Sequence, residues 1–178
     1  ILTDPSYRGQ IITMTYPLIG NTGVNPRDVE SSRVQVAGFI VKELSGIPSN
    51  WRQSGDLEGY LASQEVPGLC GIDTRALVRK LRTGGVLRGV ISSGPESEAQ
   101  LVQRAREIPG FESRDLVGEV TAEAPYVWEE RELHVPAPGG DAPAPPKPAP
   151  GPVAQQLIQL GDDPVDIDDG VAGKHFGK

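Results

Sequence analysis

The chemically most reactive side chain in the sequence is that of its single cysteine, Cys70, which lies in the run GLCG between a predicted strand and a predicted helix. A nucleophile elbow of the G-x-S-x-G type requires a glycine two residues after the nucleophile, and Ile72 stands there. A thiolate also requires a base, and the two histidines, His134 and His175, lie outside the region predicted to form the core. We therefore predict no catalytic residue in this chain and expect Cys70 to be a small buried core residue.

Ser6 is the second candidate, in the turn sequence DPSY at residues 4–7, which we call the DPSY turn. Aspartate, proline and serine are typical turn residues, and a serine hydroxyl in such a place caps the turn. The residues offer no Ser-His-Asp arrangement that would make it a nucleophile. Turn residues before and after a strand do place polar groups at the ends of a rigid element, where binding groups tend to lie. From the residues alone, a turn cap is the simpler interpretation, and a ligand contact remains open.

Two charged stretches also invite a functional interpretation. Arg75, Arg79 and Arg82 share one face of a predicted helix, which is typical of a solvated face and alternatively of a docking surface for another subunit. The acidic segment at residues 161–170, GDDPVDIDDG, suggests a calcium loop, but the pattern requires aspartate five residues before the glycine. Val165 occupies that position and the bidentate glutamate is absent, so we predict no metal site.

The amino-acid composition of the chain limits which partners and which cellular compartment are expected. The net charge of -7 argues against nucleic acid as a partner, because phosphate binding requires an excess of lysine and arginine. No apolar run approaches the roughly 20 residues of a membrane span, so no membrane association is expected. A single cysteine excludes an intrachain disulfide and suits a reducing compartment, which predicts a cytoplasmic protein.

The elements that must position these residues follow from the hydrophobic periodicity. Runs rich in β-branched residues predict strands at residues 10–16, 34–41, 66–72 and 86–92 and an extended segment at 119–130. Residues 34–41 are apolar on both faces, which is typical of an interior strand. Trp51, in the loop at residues 45–54, is expected to fold back as an anchor. Strands and helices in irregular order predict a mixed α/β (α+β) domain.

Three helices are predicted from capping residues and apolar stripes. The first begins after Asp56, which is a plausible N-cap, and the third covers residues 96–108. The clearest one begins after Asp73 and ends at Gly84-Gly85, with an apolar stripe that includes Leu77 and Leu81.

A change of composition divides the chain into three parts. Eight prolines fall within residues 136–152, and a Pro/Ala-rich stretch of this kind forms an extended spacer and not a helix or interior strand. We therefore predict a domain at residues 1–135, a linker at 136–152 and an acidic, disordered tail at 153–178. The first residue is Ile1 and a turn and a strand follow at once, so we interpret the chain as starting inside a domain.

The motifs DPSY, TYPLIGN, ESS, SNWR and IDTR occur in this order within residues 1–128. This stretch resembles the N-terminal domain of the small (glutamine amidotransferase) subunit of glutamine-hydrolysing carbamoyl phosphate synthase. The resemblance implies a swivelling β/β/α-like domain that packs against the large subunit and here lacks its first strands. The family's glutaminase domain, with its Cys, His and Glu, follows the N-terminal domain. The tail sequence VDIDDGVAGKH is faintly similar to its opening strand only.

The resemblance also implies a function for the whole enzyme, which is a ligase. The family's small subunit hydrolyses glutamine and channels ammonia to the large subunit, where ATP, Mg and bicarbonate convert it to carbamoyl phosphate for arginine and pyrimidine biosynthesis. A closed channel keeps ammonia from being protonated in water. The resemblance places ATP and Mg on the large subunit, so no cofactor is expected on this segment.

Few residue roles carry over from the family to this sequence. The serine of the DPSY motif contacts L-glutamine in the family, which makes Ser6 the predicted substrate-binding residue. Gly20 and Asn21 are weaker candidates for residues of the same interface. The chain alone is predicted to be inactive. Two alternatives remain open, namely a catalytically inert stand-alone interaction module and a truncated, non-functional product.

Overall fold

The structure, a computed structural model, describes residues 1–127 and the backbone of Lys174–Phe176. The described residues contain four strands, β1 (Ile11–Met14), β2 (Gly38–Val41), β3 (Gly68–Cys70) and β4 (Lys174–Phe176). They also contain four helices, α1 (Leu57–Ser63), α2 (Thr74–Gly84), α3 (Glu98–Glu107) and α4 (Leu116–Val120). The predicted mixed α/β class is confirmed.

One four-stranded sheet, in the order β1-β2-β3-β4, organises the chain. The first three strands are parallel, with Ile11 opposite Gly38 and Phe39 opposite Gly68, and β4 runs antiparallel to β3. All four residues of β2 are buried, which confirms the prediction of an interior strand, although the strand begins at Gly38 and not at Val34.

The core lies around β2 and α1. It consists of Val34, Val36, Phe39, Val41, Leu57, Leu61 and Val66. The side chains of Val41 and Leu61 are completely buried. Asp56 caps α1 as predicted, since its Oδ1 accepts a hydrogen bond from the Gly59 amide at 2.6 Å. The cap fixes where the helix starts and therefore which residues face the sheet.

Helix α2 has the predicted start, end and orientation. Asp73 accepts a hydrogen bond from the Ala76 amide at 2.9 Å, and Thr74 is buried. The helix ends at Gly84, and Gly85 caps it with a positive φ of 82°, which is unfavourable for residues with a side chain. The apolar stripe with Leu77 and Leu81 is half-buried, and the three arginines predicted on another face are exposed.

The predicted strand at residues 86–92 is not formed, and only Leu87 and Gly89 make single bridges within it. Leu87 is buried, and the guanidinium of Arg88 donates hydrogen bonds to the carbonyl oxygens of Arg106 and Ile108, at 3.2 and 2.9 Å. The segment is thus held against the end of α3. Tertiary contacts override its strand propensity.

Three further predictions need correction. The helix predicted at 96–108 begins at Glu98, because Ser97 caps it and forms a capping box with Gln100. Residues 119 and 120, predicted as extended, belong to α4, whose N-cap is Asp115. Trp51 is not an anchor, since 71% of its surface is exposed.

The linker predicted at 136–152 lies outside the described residues, as do both of its boundaries and the tail at 153–178 apart from β4. No helix in the described part of the chain has the length and apolar character needed to cross a bilayer. The candidate functional site is therefore built from the sheet, the four helices and their loops.

Leu61→Ala tests the core. Leu61 is completely buried, so removing three carbon atoms leaves a cavity and should lower the free energy of unfolding by about 2–5 kcal/mol. Urea denaturation followed by far-UV circular dichroism measures the change. Val86→Ala is the matched control, because Val86 is exposed and its replacement should lower the free energy of unfolding by less than about 0.5 kcal/mol. Equal losses in the two variants would contradict this assignment of the core.

Candidate functional site

The DPSY turn is a single 3-10 turn, Pro5–Tyr7, that leads into β1. Asp4 caps it, since its Oδ1 accepts a hydrogen bond from the Ser6 amide at 2.8 Å. The capping side chain is therefore Asp4 and not Ser6. The side-chain amide of Gln10 donates a hydrogen bond to the Ser6 carbonyl oxygen at 3.0 Å. Both backbone groups of Ser6 are thus satisfied within the turn, and its side chain is exposed.

The turn is fixed to the body of the domain just before β1. The amide of Gly9 donates a hydrogen bond to the carbonyl oxygen of Gln35 at 3.1 Å, and the amide of Gln35 donates to the carbonyl oxygen of Leu2 at 2.8 Å. Gln35 itself is 95% buried, with 5% of its surface exposed. The exposed Ser6 is therefore held by a rigid support.

Asp4 gives the Ser6 hydroxyl a charged neighbour. Hydrogen bonds from the backbone amide and from the hydroxyl of Ser6 lower the pKa of the Asp4 carboxyl. Asp4 is therefore ionised at neutral pH and acts as an acceptor for Ser6. The Asp4 carboxylate thus adds a negative charge beside the Ser6 hydroxyl, which can itself accept a hydrogen bond. Sequence reasoning missed this role, although the spacing of two residues between Asp4 and Ser6 is its signal.

Within residues 1–127, which contain no histidine, no imidazole base is available to the exposed hydroxyl of Ser6. His134 lies outside the described residues, and for His175 the structure describes the backbone alone. Among the described residues, the DPSY turn thus presents an exposed hydroxyl without a general base beside it.

Four charged residues meet beside the DPSY turn and form what we call the Glu119 cluster, namely Glu119, Arg8, Arg33 and Arg114. Arg8 Nε lies 2.9 Å from Glu119 Oε2, and Arg114 Nη2 lies 3.4 Å from Glu119 Oε1. Arg33 Nη2 donates to the Glu119 backbone oxygen at 3.4 Å, at the C-terminal end of α4. The cluster ties α4 to the segment that carries Ser6.

The ionisation of Glu119 is stabilised by this arrangement. Partial burial raises the pKa of Glu119, but the hydrogen bond from Arg8 and the charges of Arg8 and Arg114 outweigh burial and hold the pKa below its ordinary value of 4.5. The carboxylate is thus charged throughout the physiological range. Nothing in the sequence signals this cluster, since Arg8 and Arg33 lie 111 and 86 residues from Glu119 along the chain.

Gly20 and Asn21 lie in the turn after β1, which packs on the loop that follows β2. Ile19 bridges Leu44, and the Ser49 amide donates a hydrogen bond to the Asn21 carbonyl oxygen at 2.8 Å. Leu18, which begins the turn, has a positive φ of 62°. A leucine in this left-handed conformation costs about 1–2 kcal/mol, and such strain is often found at functional surfaces.

Large apolar side chains lie exposed on these two loops. We call them the apolar patch, and each is more than half exposed: Tyr16, Leu18, Ile47 and Trp51. The neighbours of Trp51 are anchored, because Asn50 accepts a hydrogen bond from the Arg52 amide at 2.8 Å and Arg52 pairs with Asp28 at 2.5 Å. The loop is therefore held in place while Trp51 points into solvent.

The structure does not bring the two predicted parts of the site together. Ser6 precedes β1, whereas Gly20 and Asn21 follow it, so a strand of about 13 Å separates the DPSY turn from the apolar patch. Two different surfaces result, one polar and one apolar. Each requires its own explanation.

Cys70 ends β3 and is half-buried against the core, so the expectation of a fully buried residue holds only in part. The register of β3 and β4 pairs Cys70 with Lys174 and Leu69 with His175. The backbone of His175 is thus closer to the core than the sequence suggested. Among the residues that the structure describes, no group of three or more His, Cys, Asp or Glu could hold a metal ion.

The fold and these surfaces define a mixed α/β domain with a hydrogen-bonded polar turn before β1 and exposed apolar side chains on the loops after β1 and β2. Comparison with known proteins gives the family. The family model described as carbamoyl-phosphate synthase small chain, CPSase domain, matches residues 1–91, and the chain belongs to this family.

Curated relatives extend the similarity beyond the family model. The chain is 55% identical over 130 residues to the carbamoyl phosphate synthase small chain of Syntrophotalea carbinolica, covering 73% of this chain and 35% of the relative. It is 52% identical over 144 residues to the same protein of Nitratidesulfovibrio vulgaris, covering 80% and 38%. The small chain of Aquifex aeolicus is 52% identical over 130 residues, covering 73% and 35%. The chain thus spans little more than a third of the length of these relatives.

Glu119→Gln tests the contribution of the Glu119 cluster to stability. Because the folded-state pKa of Glu119 lies below its ordinary value of 4.5, the carboxylate stabilises the fold above that pH, and the stabilisation is lost as the pH falls through the folded-state pKa. The side chain is 35% exposed, so the loss at pH 7 should be that of a screened ion pair, up to about 1 kcal/mol. The free energies of unfolding of Glu119→Gln and of the unaltered chain should become equal in acid.

Urea denaturation at pH values from neutral to well below 4.5 measures this difference. Glu123→Gln is the control, because Glu123 is exposed and lies outside the cluster. The free energy of unfolding of Glu123→Gln should equal that of the unaltered chain at every pH. If the difference in free energy of unfolding between Glu119→Gln and the unaltered chain did not change with pH, the result would contradict a stabilising role for the Glu119 carboxylate.

Proposed function

We propose that this chain is part of the small subunit of glutamine-hydrolysing carbamoyl phosphate synthase, in which it supplies subunit docking and one edge of the glutamine site. The observation that carries the proposal is the DPSY turn, which presents the exposed Ser6 on a fully hydrogen-bonded backbone in a chain of this family. The names of the relatives support the same assignment.

The proposed reaction belongs to the assembled enzyme. The small subunit hydrolyses L-glutamine and channels ammonia to the large subunit, which uses ATP and Mg to make carbamoyl phosphate for arginine and pyrimidine biosynthesis in the cytoplasm. The segment described here contributes no nucleophile to this reaction, and we expect the chain alone to be inactive. In this proposal its own residues bind and position glutamine and form the contact with the large subunit.

Ser6 is proposed to contact the amino-acid end of glutamine. Its hydroxyl lies beside the ionised Asp4, so its oxygen can accept a hydrogen bond from the ammonium group of the ligand while Asp4 adds negative charge. The fixed turn limits the conformational entropy that is lost on binding. The Glu119 cluster supports the same turn from the side of Arg8.

The apolar patch is proposed to dock on the large subunit. Four large side chains exposed on two hydrogen-bonded loops resemble the aromatic and aliphatic anchors of protein interfaces. The neighbouring Gly20 and Asn21 would lie at this contact, at the far end of β1 from Ser6. We further propose a swivelling β/β/α-like arrangement, with the domain ending near residue 135 and a linker at 136–152 leading to the tail at 153–178.

Ser6→Ala tests the glutamine contact in a chimera. Residues 1–127 of this chain replace the matching part of the Syntrophotalea carbinolica small chain, which is assembled with the large subunit of that organism. Loss of a hydrogen bond to a charged group costs about 1.5–3 kcal/mol, so the KM for glutamine should rise about 10- to 100-fold with little change in kcat.

The control for this experiment is Ser63→Ala, because the Ser63 hydroxyl donates a hydrogen bond to the Tyr60 carbonyl oxygen within α1 and is not part of the DPSY turn. Carbamoyl phosphate synthesis from added ammonia should be the same in both variants, since it bypasses the glutamine site. An unchanged KM for glutamine in Ser6→Ala would overturn the proposed contact.

Trp51→Asp tests the docking surface with the chain itself. Size-exclusion chromatography and titration calorimetry with the Syntrophotalea carbinolica large subunit should detect a complex. Burying an aspartate in place of an exposed aromatic anchor should weaken that complex at least about 10-fold. Val86→Asp is the matched control, because Val86 is equally apolar and exposed but lies outside the apolar patch. Equal weakening by the two changes would refute the assigned surface.

A further inference from the structure

Gln10 is the residue that joins the DPSY turn to the sheet. Its backbone amide donates a hydrogen bond to the carbonyl oxygen of Tyr7 at 3.1 Å, and its own carbonyl oxygen accepts one from the amide of Ala37 at 2.8 Å, just before β2 begins. The Nε2 atom of its side chain donates a hydrogen bond to the carbonyl oxygen of Ser6 at 3.0 Å. Gln10 therefore contacts both the turn and the segment that leads into the interior strand.

Two side chains hold the peptide groups on either side of the Ser6 Cα atom. On the N-terminal side, Asp4 Oδ1 accepts a hydrogen bond from the Ser6 amide at 2.8 Å. On the C-terminal side, Gln10 Nε2 binds the Ser6 carbonyl oxygen. The backbone nitrogen and carbonyl carbon of an L-residue determine where its Cβ atom points, so the two hydrogen bonds together fix the direction of the Ser6 side chain. The hydroxyl is then left with only three staggered rotamers.

The hydrogen bond from the Gln10 side chain orients the turn more than it stabilises the fold. The bond is exposed to solvent, and water can replace an exposed donor with little net change in the free energy of unfolding. A water molecule does not hold the Ser6 carbonyl in one direction, however, because it is not fixed to the protein. Loss of the Gln10 amide should therefore leave the domain folded and let the Ser6 peptide group rotate.

We propose that Gln10 is a positioning residue that orients the Ser6 hydroxyl toward its ligand. The inference rests on the proposed contact of Ser6 with the amino-acid end of glutamine, and it names the residue on which the direction of that contact depends. Gln10 itself does not contact the ligand. It acts through the Ser6 carbonyl oxygen, and its backbone hydrogen bond with Ala37 couples the position of the turn to that of the sheet.

The orientation of a hydroxyl matters for binding because hydrogen bonds are directional. A hydrogen bond weakens steeply when its angle falls toward about 120°, so a Ser6 hydroxyl that can turn away loses part of its attraction for the ligand. A turn that is mobile before binding must also be ordered by the ligand, which lowers the affinity further. Both effects act on binding and not on the chemical step, so they should raise the KM for glutamine and leave kcat unchanged.

Gln10→Met tests the proposal in the same chimera with the Syntrophotalea carbinolica small chain, assembled with the large subunit of that organism. Methionine is similar to glutamine in length but has no N–H group, so the side-chain hydrogen bond to Ser6 is lost. The KM for glutamine should rise about 3- to 10-fold, as expected for the loss of one hydrogen bond, and kcat should change less than about twofold. Carbamoyl phosphate synthesis from added ammonia should be unchanged.

Two further variants separate positioning from a general effect on the structure. Gln10→Lys restores a hydrogen-bond donor on a side chain of sufficient reach, so its KM should return to within about twofold of the unaltered chimera. Gln103→Met is the matched control, because Gln103 Nε2 donates a hydrogen bond to Glu107 Oε1 at 2.7 Å on α3 and is not part of the DPSY turn. Its KM should be unchanged. In the full 178-residue chain, Gln10→Met and Gln103→Met should have the same midpoint of urea denaturation.

A double-mutant cycle shows whether Gln10 acts through Ser6. In a chain that already carries Ser6→Ala, the hydroxyl that Gln10 orients is absent, so adding Gln10→Met should change the KM for glutamine by less than about twofold. An equal rise in KM with and without the Ser6 hydroxyl would show that Gln10 affects the ligand by another route. That result would overturn the proposal.

The outcomes distinguish this inference from the proposed function. An unchanged KM in Ser6→Ala would overturn both, since the glutamine contact would be absent. A raised KM in Ser6→Ala together with an unchanged KM in Gln10→Met would leave the contact in place and overturn the positioning role alone. Equal KM values in Gln10→Met and Gln10→Lys would also overturn that role, as would a lower denaturation midpoint in Gln10→Met than in Gln103→Met.

Discussion

The structure depends on the close packing of β2, whose four residues are buried between β1 and β3. Its first residue, Gly38, has no room for a side chain, because a Cβ atom there would lie 2.9 Å from Ile91 Cδ1 and 3.0 Å from Ile11 Cγ1. This close approach lets β1 and the segment around Ile91 pack together over β2. The DPSY turn and the Tyr16 and Leu18 part of the apolar patch flank β1, so their positions follow from this contact.

Local signals in the sequence predicted α1 and α2 well, whereas α4 was missed. Asp56 and Asp73 cap α1 and α2 through hydrogen bonds to amides three residues away, and such an interaction is contained in a few consecutive residues. The segment at 86–92 has the composition of a strand, yet its conformation is decided by the contacts of Leu87 and Arg88 with distant parts of the chain. Propensity cannot foresee such contacts.

The candidate site was predictable only in outline. The motif predicts Ser6 as the binding residue, and the structure adds that the side chain that caps the turn is Asp4, which accepts a hydrogen bond from the Ser6 amide. The outward position of Trp51 depends on how Arg52 is paired to Asp28 across 24 residues. Arginine and glutamate are too common for one sequence to indicate which of them pair. The residue types therefore allowed the hydrogen-bonding groups of the turn to be predicted. The ion pairs that hold these loops in place could not be predicted from them.

The pairing of Arg8 with Glu119 joins residues 111 positions apart in the chain. During synthesis on the ribosome, Arg8 emerges long before Glu119, whereas β1 and β2 are separated by only a few tens of residues and can pair much earlier. The N-terminal turn is therefore among the first segments to be made, whereas its ion pair with Glu119 is among the later contacts to form. A nascent chain can hold the DPSY turn through the hydrogen bonds of Gln35 before α4 is made, and Glu119 then adds its ion pair to a turn that is already in place.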